Sequence, residues 1–249
     1  MRNMFRDFFR RIRVGRHLAQ HGANFQYHGL SVAIPEDSEL SVANALIRGK
    51  YEREEAEMIV AHLPPDMPVI ELGGSLGVVS RLIRSRLGPD MKHLIVEANA
   101  DLVGVCRKNA TVDAPDGATE VIHAALAYGG PVARFRIGRE PHANSLDNGS
   151  GEGRVVEVPA VTLADLLRRI GNPPRIALVA DIEGAEFDLF RHDSEALRSV
   201  QVAIVELHPR DYPKRGLSEH GMLELLEAAG FAVVERRADV VLLRRKQQS

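Results

Sequence analysis

Six carboxylates and one histidine stand where apolar runs of this chain give out, and they are its best candidates for chemistry. The run Ile176–Ala180 leads into Asp181-Ile182-Glu183-Gly184-Ala185-Glu186, three acids within six residues. Burying that much like charge is costly unless the acids have partners or work to do. Glu183 and Glu186 can be explained as acids favoured at a helix N-terminus. Asp181 is harder to explain that way, because ligands of open α/β sheets bind beyond the carboxyl ends of the strands. A second run, Val202–Val205, ends in Glu206-Leu207-His208-Pro209, again an acid and a histidine at a strand tip. The remaining acids, Glu71 and Glu97, each close a short apolar run. Acids so placed serve to hold a cation or to take a proton.

Between Glu71 and Glu97 the chain reads as one βαβ unit. Gly73, Gly74 and Gly77 follow the first acid, and Val79, Leu82, Ile83 and Leu87 then keep a helical spacing. Glycines between a strand and a helix N-terminus allow positive φ and a close approach of backbone to ligand. A dinucleotide site would show G-x-G-x-x-G with an acid about 20 residues on, and these glycines do not keep that spacing. The pattern Glu71-x-Gly73-x-Ser75-x-Gly77 instead resembles the first motif of class I methyltransferases that use S-adenosyl-L-methionine (SAM). That resemblance implies that Glu71 helps hold the cationic methionine end and that Glu97 takes the ribose hydroxyls. SAM has a sulfonium and an ammonium but no phosphate, so an acidic, glycine-lined turn suits it better than a phosphate nest.

The elements that must position these residues follow from the rest of the chain. At 249 residues it is long enough for one α/β domain with additions. A net charge of −2 gives no sign of a nucleic-acid binder, and Cys106, the sole cysteine, excludes an internal disulfide. That cysteine usage fits a reducing, cytoplasmic setting, and no apolar run approaches the length of a membrane span. Nor does the N-terminus carry the apolar core of a signal peptide. Met1–His17 sets six arginines against one acid, with Phe5, Phe8, Phe9 and Ile12 on one helical face. Such an arm packs on the protein's own body or a second subunit, lies on an anionic membrane, or serves in targeting.

Phe25–Pro35 reads as a hairpin around His28-Gly29, and Asn44–Leu63 as one helix stopped by Pro64-Pro65. On that helix Tyr51-Glu52 are either cofactor contacts or ordinary surface. The strand Glu120–His123 runs into Ala124-Ala125-Leu126, small residues that leave room for an adenine ring or allow close packing. Val132–Ile137 and Val155–Val158 form an added β pair, and the polar loop between them, with Asn144 and Ser145, either binds substrate hydroxyls or acts as a linker. Helices over Thr162–Ile170 and Gly221–Ala229, and a closing pair Phe231–Glu235 with Val240–Leu243, complete the order of a seven-stranded sheet. Residues 1–50 are assigned to the arm and hairpin, 51–249 to the main domain.

Taken together, these runs resemble the FkbM family of SAM-dependent methyltransferases over about Tyr51–His208. Asp181-Ile182-Glu183-Gly184-Ala185-Glu186 matches the family's D-x-E-G-A-E, and Glu97-Ala98-Asn99 its E-P-N. Support comes from Thr162-Leu163-x-Asp165-Leu166 and from Glu206-x-His208. Glu71 replaces the usual Asp, Gly74-Ser75 an Ala-Asn, and Ala98 a common Pro. Ala180 stands where Lys is common, which removes a cation beside the carboxylates.

The resemblance implies a Rossmann-like, seven-stranded, mostly parallel sheet flanked by helices. It also implies O-methylation of a sugar, glycan or secondary metabolite. Glu71, Gly73, Gly74, Ser75, Gly77, Glu97, Ala98 and Ala125 would hold the cofactor. Asp181 or His208 would act as base, with Glu183 and Glu206 in the catalytic set, and Asn144, Ser145 and Glu186 would meet the substrate. A carboxylate cluster of this kind can hold Mg²⁺, but no ligand spacing demands a metal and none is assigned; a homo-oligomer is compatible with the arm. Two other classes remain open on sequence: a SAM-fold scaffold without catalysis, and, against the glycine spacing, a nicotinamide-dependent oxidoreductase.

Overall fold

The computed structural model describes residues 2–138, 145–147 and 153–246. Helix α1 (Arg2–His21) leads into the strands β1 (Asn24–Tyr27) and β2 (Leu30–Ala33). The two strands pair antiparallel across His28-Gly29, both at positive φ, the geometry of a tight two-residue hairpin turn.

The single helix expected over Asn44–Leu63 is two helices, α2 (Leu40–Ile47) and α3 (Arg53–His62). The break is a helix C-cap written in the sequence as Gly49. At φ +60° it lets its own N–H donate to Leu46 O (3.0 Å) and the Lys50 N–H donate to Ala45 O (2.9 Å). Periodicity alone had run across this glycine.

The central sheet has seven strands in the order β12-β13-β11-β10-β3-β4-β5. They are β3 (Val69–Leu72), β4 (His93–Glu97), β5 (Thr119–His123), β10 (Ile176–Ala180), β11 (Val200–Glu206), β12 (Phe231–Arg237) and β13 (Val240–Arg245). Strand β13 alone runs against its neighbours. Strands β3, β4 and β10 are buried at every residue, as parallel strands covered on both faces must be.

Alternate residues divide between the two faces. Ile70, Leu72, Leu178, Ala180, Ala203 and Val205 pack under the helices α6 (Leu163–Arg169), α7 (Glu186–His192) and α8 (Glu219–Ala228). Val69, Ala177, Val179, Val202 and Ile204 share a core with α4 (Val78–Arg86) and with Val14, Phe25, Leu46 and Ile59 of the first 62 residues. The N-terminal elements are therefore a structural cover for one face of the sheet.

Strand order reverses between β3 and β10, so the carboxyl ends of β3, β4 and β10 frame a crevice at the switch point. The helix α5 (Ala100–Ala110) carries Cys106 buried against Ile95 of β4 and Val121 of β5. A second sheet, β6-β9-β7-β8, holds β6 (Ala125–Leu126), β7 (Val132–Ile137), β8 (Ser145–Leu146) and β9 (Arg154–Val161). The expected pair, β7 and β9, thus sits within a larger addition.

Candidate active site

The turn after β3 is shaped by how closely other backbone must approach it. Gly73 is at φ +93°, and a Cβ there would lie 1.9 Å from the Asp181 carbonyl oxygen. Gly77 caps α4, and a Cβ there would meet Cys106 O at 2.5 Å. Ser75 also takes a positive φ, and its N–H donates to Glu97 Oε2 at 2.6 Å. The Asn99 N–H donates to the other Glu97 oxygen, also at 2.6 Å. Glu97 therefore ties the turns after β3 and β4 together while lining the crevice between them.

Glu71 also lines the crevice, but its carboxylate is engaged within the protein. Ser80 Oγ donates to Oε1 (2.7 Å), and His93 Nε2 lies 2.8 Å from Oε2. Glu71, expected to help hold the cofactor, thus lines the cleft with its two oxygens already engaged by Ser80 and His93, because it lies within β3 and its side chain reaches α4.

The crevice opens to a cleft of ≈ 1110 Å³, solvent mouth included. One wall is the α2–α3 turn with Tyr51, Glu52 and Glu55; the floor is Gly73–Ser75 and Glu97-Ala98; Ala124–Leu126 with Phe135 and Leu146 close one end. Asp181 and Glu183 occupy the other side. Asp181 is fixed through its backbone, its N–H donating to Leu72 O (2.9 Å), and Glu183 takes a positive φ in the tight Ile182–Ala185 turn before α7.

His208 brings this side together. Its Nδ1 is hydrogen-bonded to Glu186 Oε1, and its Nε2 lies 3.3 Å from both Asp181 Oδ1 and Glu183 Oε2. Burial pulls its pKa down, but the facing Asp181 and Glu186 carboxylates outweigh burial and push it up to about 12. His208 is thus favoured as the imidazolium, with Nδ1 hydrogen-bonded to Glu186 and Nε2 facing Asp181 and Glu183 as an ion pair. It supplies the cation among the acids that Ala180, fully buried in the core, does not.

Burial raises Glu183 to about 8 against the pull of His208, with the charge of Asp181 adding to the rise. Glu206 is raised to about 8 by burial and by the charges of Asp181 and Glu52. Glu55 is raised well above the usual carboxylate range by burial and then by Asp181. Acids shifted together by burial and like charge mark a candidate functional site, and a cation bound there would relieve the crowding. Asp181, Glu183 and His208 also bring one ligand atom each within 4.8 Å of one another. A metal ion there would have to displace the Nε2 proton of His208.

Other expected site residues fall as follows. Gly74, Ala98 and Ala125 line the cleft, and Gly77 lies behind it as the α4 cap. Glu186, expected to meet substrate, is fully buried and meets His208 and the Gly184 N–H instead, because it opens α7 beneath the site. Ser145 pairs with Arg136 across β7 and β8; its neighbour Leu146 is the one that reaches the cleft. Asn144 lies outside the described residues. Glu55 escaped the sequence reading. Its signal was a charged residue three and four positions before Met58 and Ile59, on the buried face of its helix.

The family described as the methyltransferase FkbM domain matches residues 74–233. The chain belongs to that family. No curated protein matches it. Among solved structures, magnesium protoporphyrin IX methyltransferase from Synechocystis, crystallised with bound SAM, aligns at 13% identity over 77% of this chain and 76% of its own, TM-score 0.44. Precorrin-6y C5,15-methyltransferase from Geobacter metallireducens aligns at 16% over 80% and 89%, TM-score 0.43. Ribosomal protein L11 methylase from Lactobacillus delbrueckii aligns at 10% over 80% of each chain, TM-score 0.44. Likenesses this distant fix neither substrate nor site. As an FkbM methyltransferase the chain takes its methyl group from SAM, and its acid-crowded cleft fits that cation.

Proposed function

We propose that this FkbM methyltransferase transfers the methyl group to a hydroxyl of a sugar, glycan or secondary metabolite. The observation that carries this reading is the carboxylate pair Asp181 and Glu183, gathered on the His208 imidazolium at the edge of the cofactor cleft. When bound, SAM supplies a methyl carbon activated by its sulfonium. An alcohol attacks such a carbon well only if its proton is removed as the bond forms. Asp181 takes that proton: its Oδ1 is shielded from solvent, close to His208 but outside hydrogen-bond geometry, and so free to accept. His208, already protonated, positions the acids and is not the base. Glu97 would hold the ribose hydroxyls, Ala98 and Ala124–Leu126 would flank the adenine, and Glu52 and Glu55 would offer acids to the cationic methionine end.

Calorimetric titration with SAM tests the cofactor site. Glu97→Ala is expected to weaken binding by about 1–3 kcal/mol, the cost of leaving buried polar groups unpaired. Unchanged affinity would move the ribose site elsewhere. Screening polyols, glycans and hydroxylated metabolites with methyl-labelled SAM then tests the reaction, and label appearing only on nitrogen or carbon would end the O-methyl reading.

Protonation supplies a second check. Glu55, Glu183 and Glu206 have folded pKa values above their unfolded ones, so their contribution to stability is present at low pH and lost as pH rises, for Glu183 and Glu206 through about 8. A bound cation favours the ionised acids and opposes that loss. SAM binding near neutral pH is therefore expected to release protons, read as a dependence of the apparent enthalpy on buffer ionisation heat. Glu55→Gln should reduce the number released and weaken SAM by about 1–2 kcal/mol. The same proton release in the variant would remove Glu55 from the cofactor site.

A further inference from the structure

Helix α1 has two apolar faces, and the fold uses one. Val14 is buried in the core shared with Phe25 and Leu46, and Leu18 packs beside it. At about 100° per residue, Phe8, Phe9 and Ile12 fall in one arc centred nearly opposite Val14. They are 58%, 59% and 47% exposed, and among the described residues Phe8 and Phe9 are the only large exposed aromatics. Their rings meet edge to face, with centroids 5.7 Å apart. Arg11 and Arg16 are exposed on and beside this stripe, and neither is paired with an acid among the described residues. The one acid of α1, Asp7, is already bonded to Arg10. Arg13 anchors the helix by donating to Asn44 Oδ1 at 2.6 Å.

Aromatic and aliphatic side chains between unpaired arginines suit a surface that is apolar inside and anionic at its rim. A second copy of the chain would have to bring two arginine-rich faces together, which like charge opposes. The helix is not apolar enough to cross a bilayer. We propose that the outer face of α1 docks in the headgroup layer of an anionic lipid bilayer, with Phe8, Phe9 and Ile12 entering it and Arg11 and Arg16 meeting lipid phosphates. This proposal is independent of the acceptor's identity.

The test uses the full chain and sedimentation with vesicles of phosphatidylcholine, alone or with about one-third phosphatidylserine. The protein is expected to pellet with the anionic vesicles only and to be released by salt of about 0.5 M. Phe8→Ala, Phe9→Ala and Ile12→Ala combined should lower vesicle affinity at least about tenfold, with the melting temperature and SAM binding unchanged. The chain contains no tryptophan, so Phe9→Trp gives a single reporter whose emission should shift to the blue on the anionic vesicles. No binding to either vesicle, or binding unaffected by the triple substitution, would overturn the proposal. So would a dimer in light scattering that the triple substitution dissociates, which would assign the face to a second copy.

Discussion

Asp181→Asn is expected to lower kcat by about 10²–10⁴-fold, the range of a lost general base, while the protein still binds SAM. The substitution keeps the size of the side chain, and the backbone bond from Asp181 N–H to Leu72 O is independent of it. What changes is the ability of Oδ1 to accept a proton beside the cleft. If the base is correctly placed, the loss falls on the chemical step and the rate regains little at high pH. A variant with near wild-type turnover would transfer the role to Glu183 or Glu206. Loss of SAM binding together with turnover would make Asp181 a cofactor ligand first.

Gly73→Ala is expected to have the largest effect on the folded protein, about 2–4 kcal/mol of stability, together with loss of measurable SAM binding. Two independent costs add. Alanine resists the φ of +93°, and its methyl would sit 1.9 Å from the Asp181 carbonyl oxygen. That oxygen belongs to backbone and cannot swing away as a side-chain tip would. Relief requires parting the ends of β3 and β10, which are joined by the Asp181 N–H to Leu72 O bond. Thermal unfolding measures the first effect and calorimetry the second. An alanine variant with wild-type melting and affinity would show that the turn is far softer than its packing implies.

Much of this architecture was legible because the determining signals are local. The run Val69–Leu72, the glycines after it and the helical spacing from Val78 lie within one βαβ unit. Asp181 and Glu206-x-His208 were recognisable because strand ends in an open sheet gather at one edge. What was not legible is three-dimensional in origin. Glu71 and Glu97 look equivalent in sequence, yet Glu71 is held by the side chains of Ser80 and His93 and Glu97 by the backbone N–H groups of Ser75 and Asn99. His208 stood beside Asp181 as a possible base, and sequence could not show that it faces three carboxylates, which favour its protonated form. Glu186 read as a substrate ligand because motif spacing does not report depth, and the residue is fully buried. The break at Gly49 was missed because apolar residues recur at helical spacing on both sides of it, and it is this break that brings Glu52 and Glu55 over the cleft.

The crowd of carboxylates at one edge of the sheet also bears on turnover. Methyl transfer converts a sulfonium into an uncharged thioether, so the spent cofactor carries one positive charge fewer than the one that entered. The acids that attract the donor then face each other with less to separate them, and the groups raised toward about 8 draw protons back. Loss of that charge lowers the electrostatic part of the cleft's hold on the by-product.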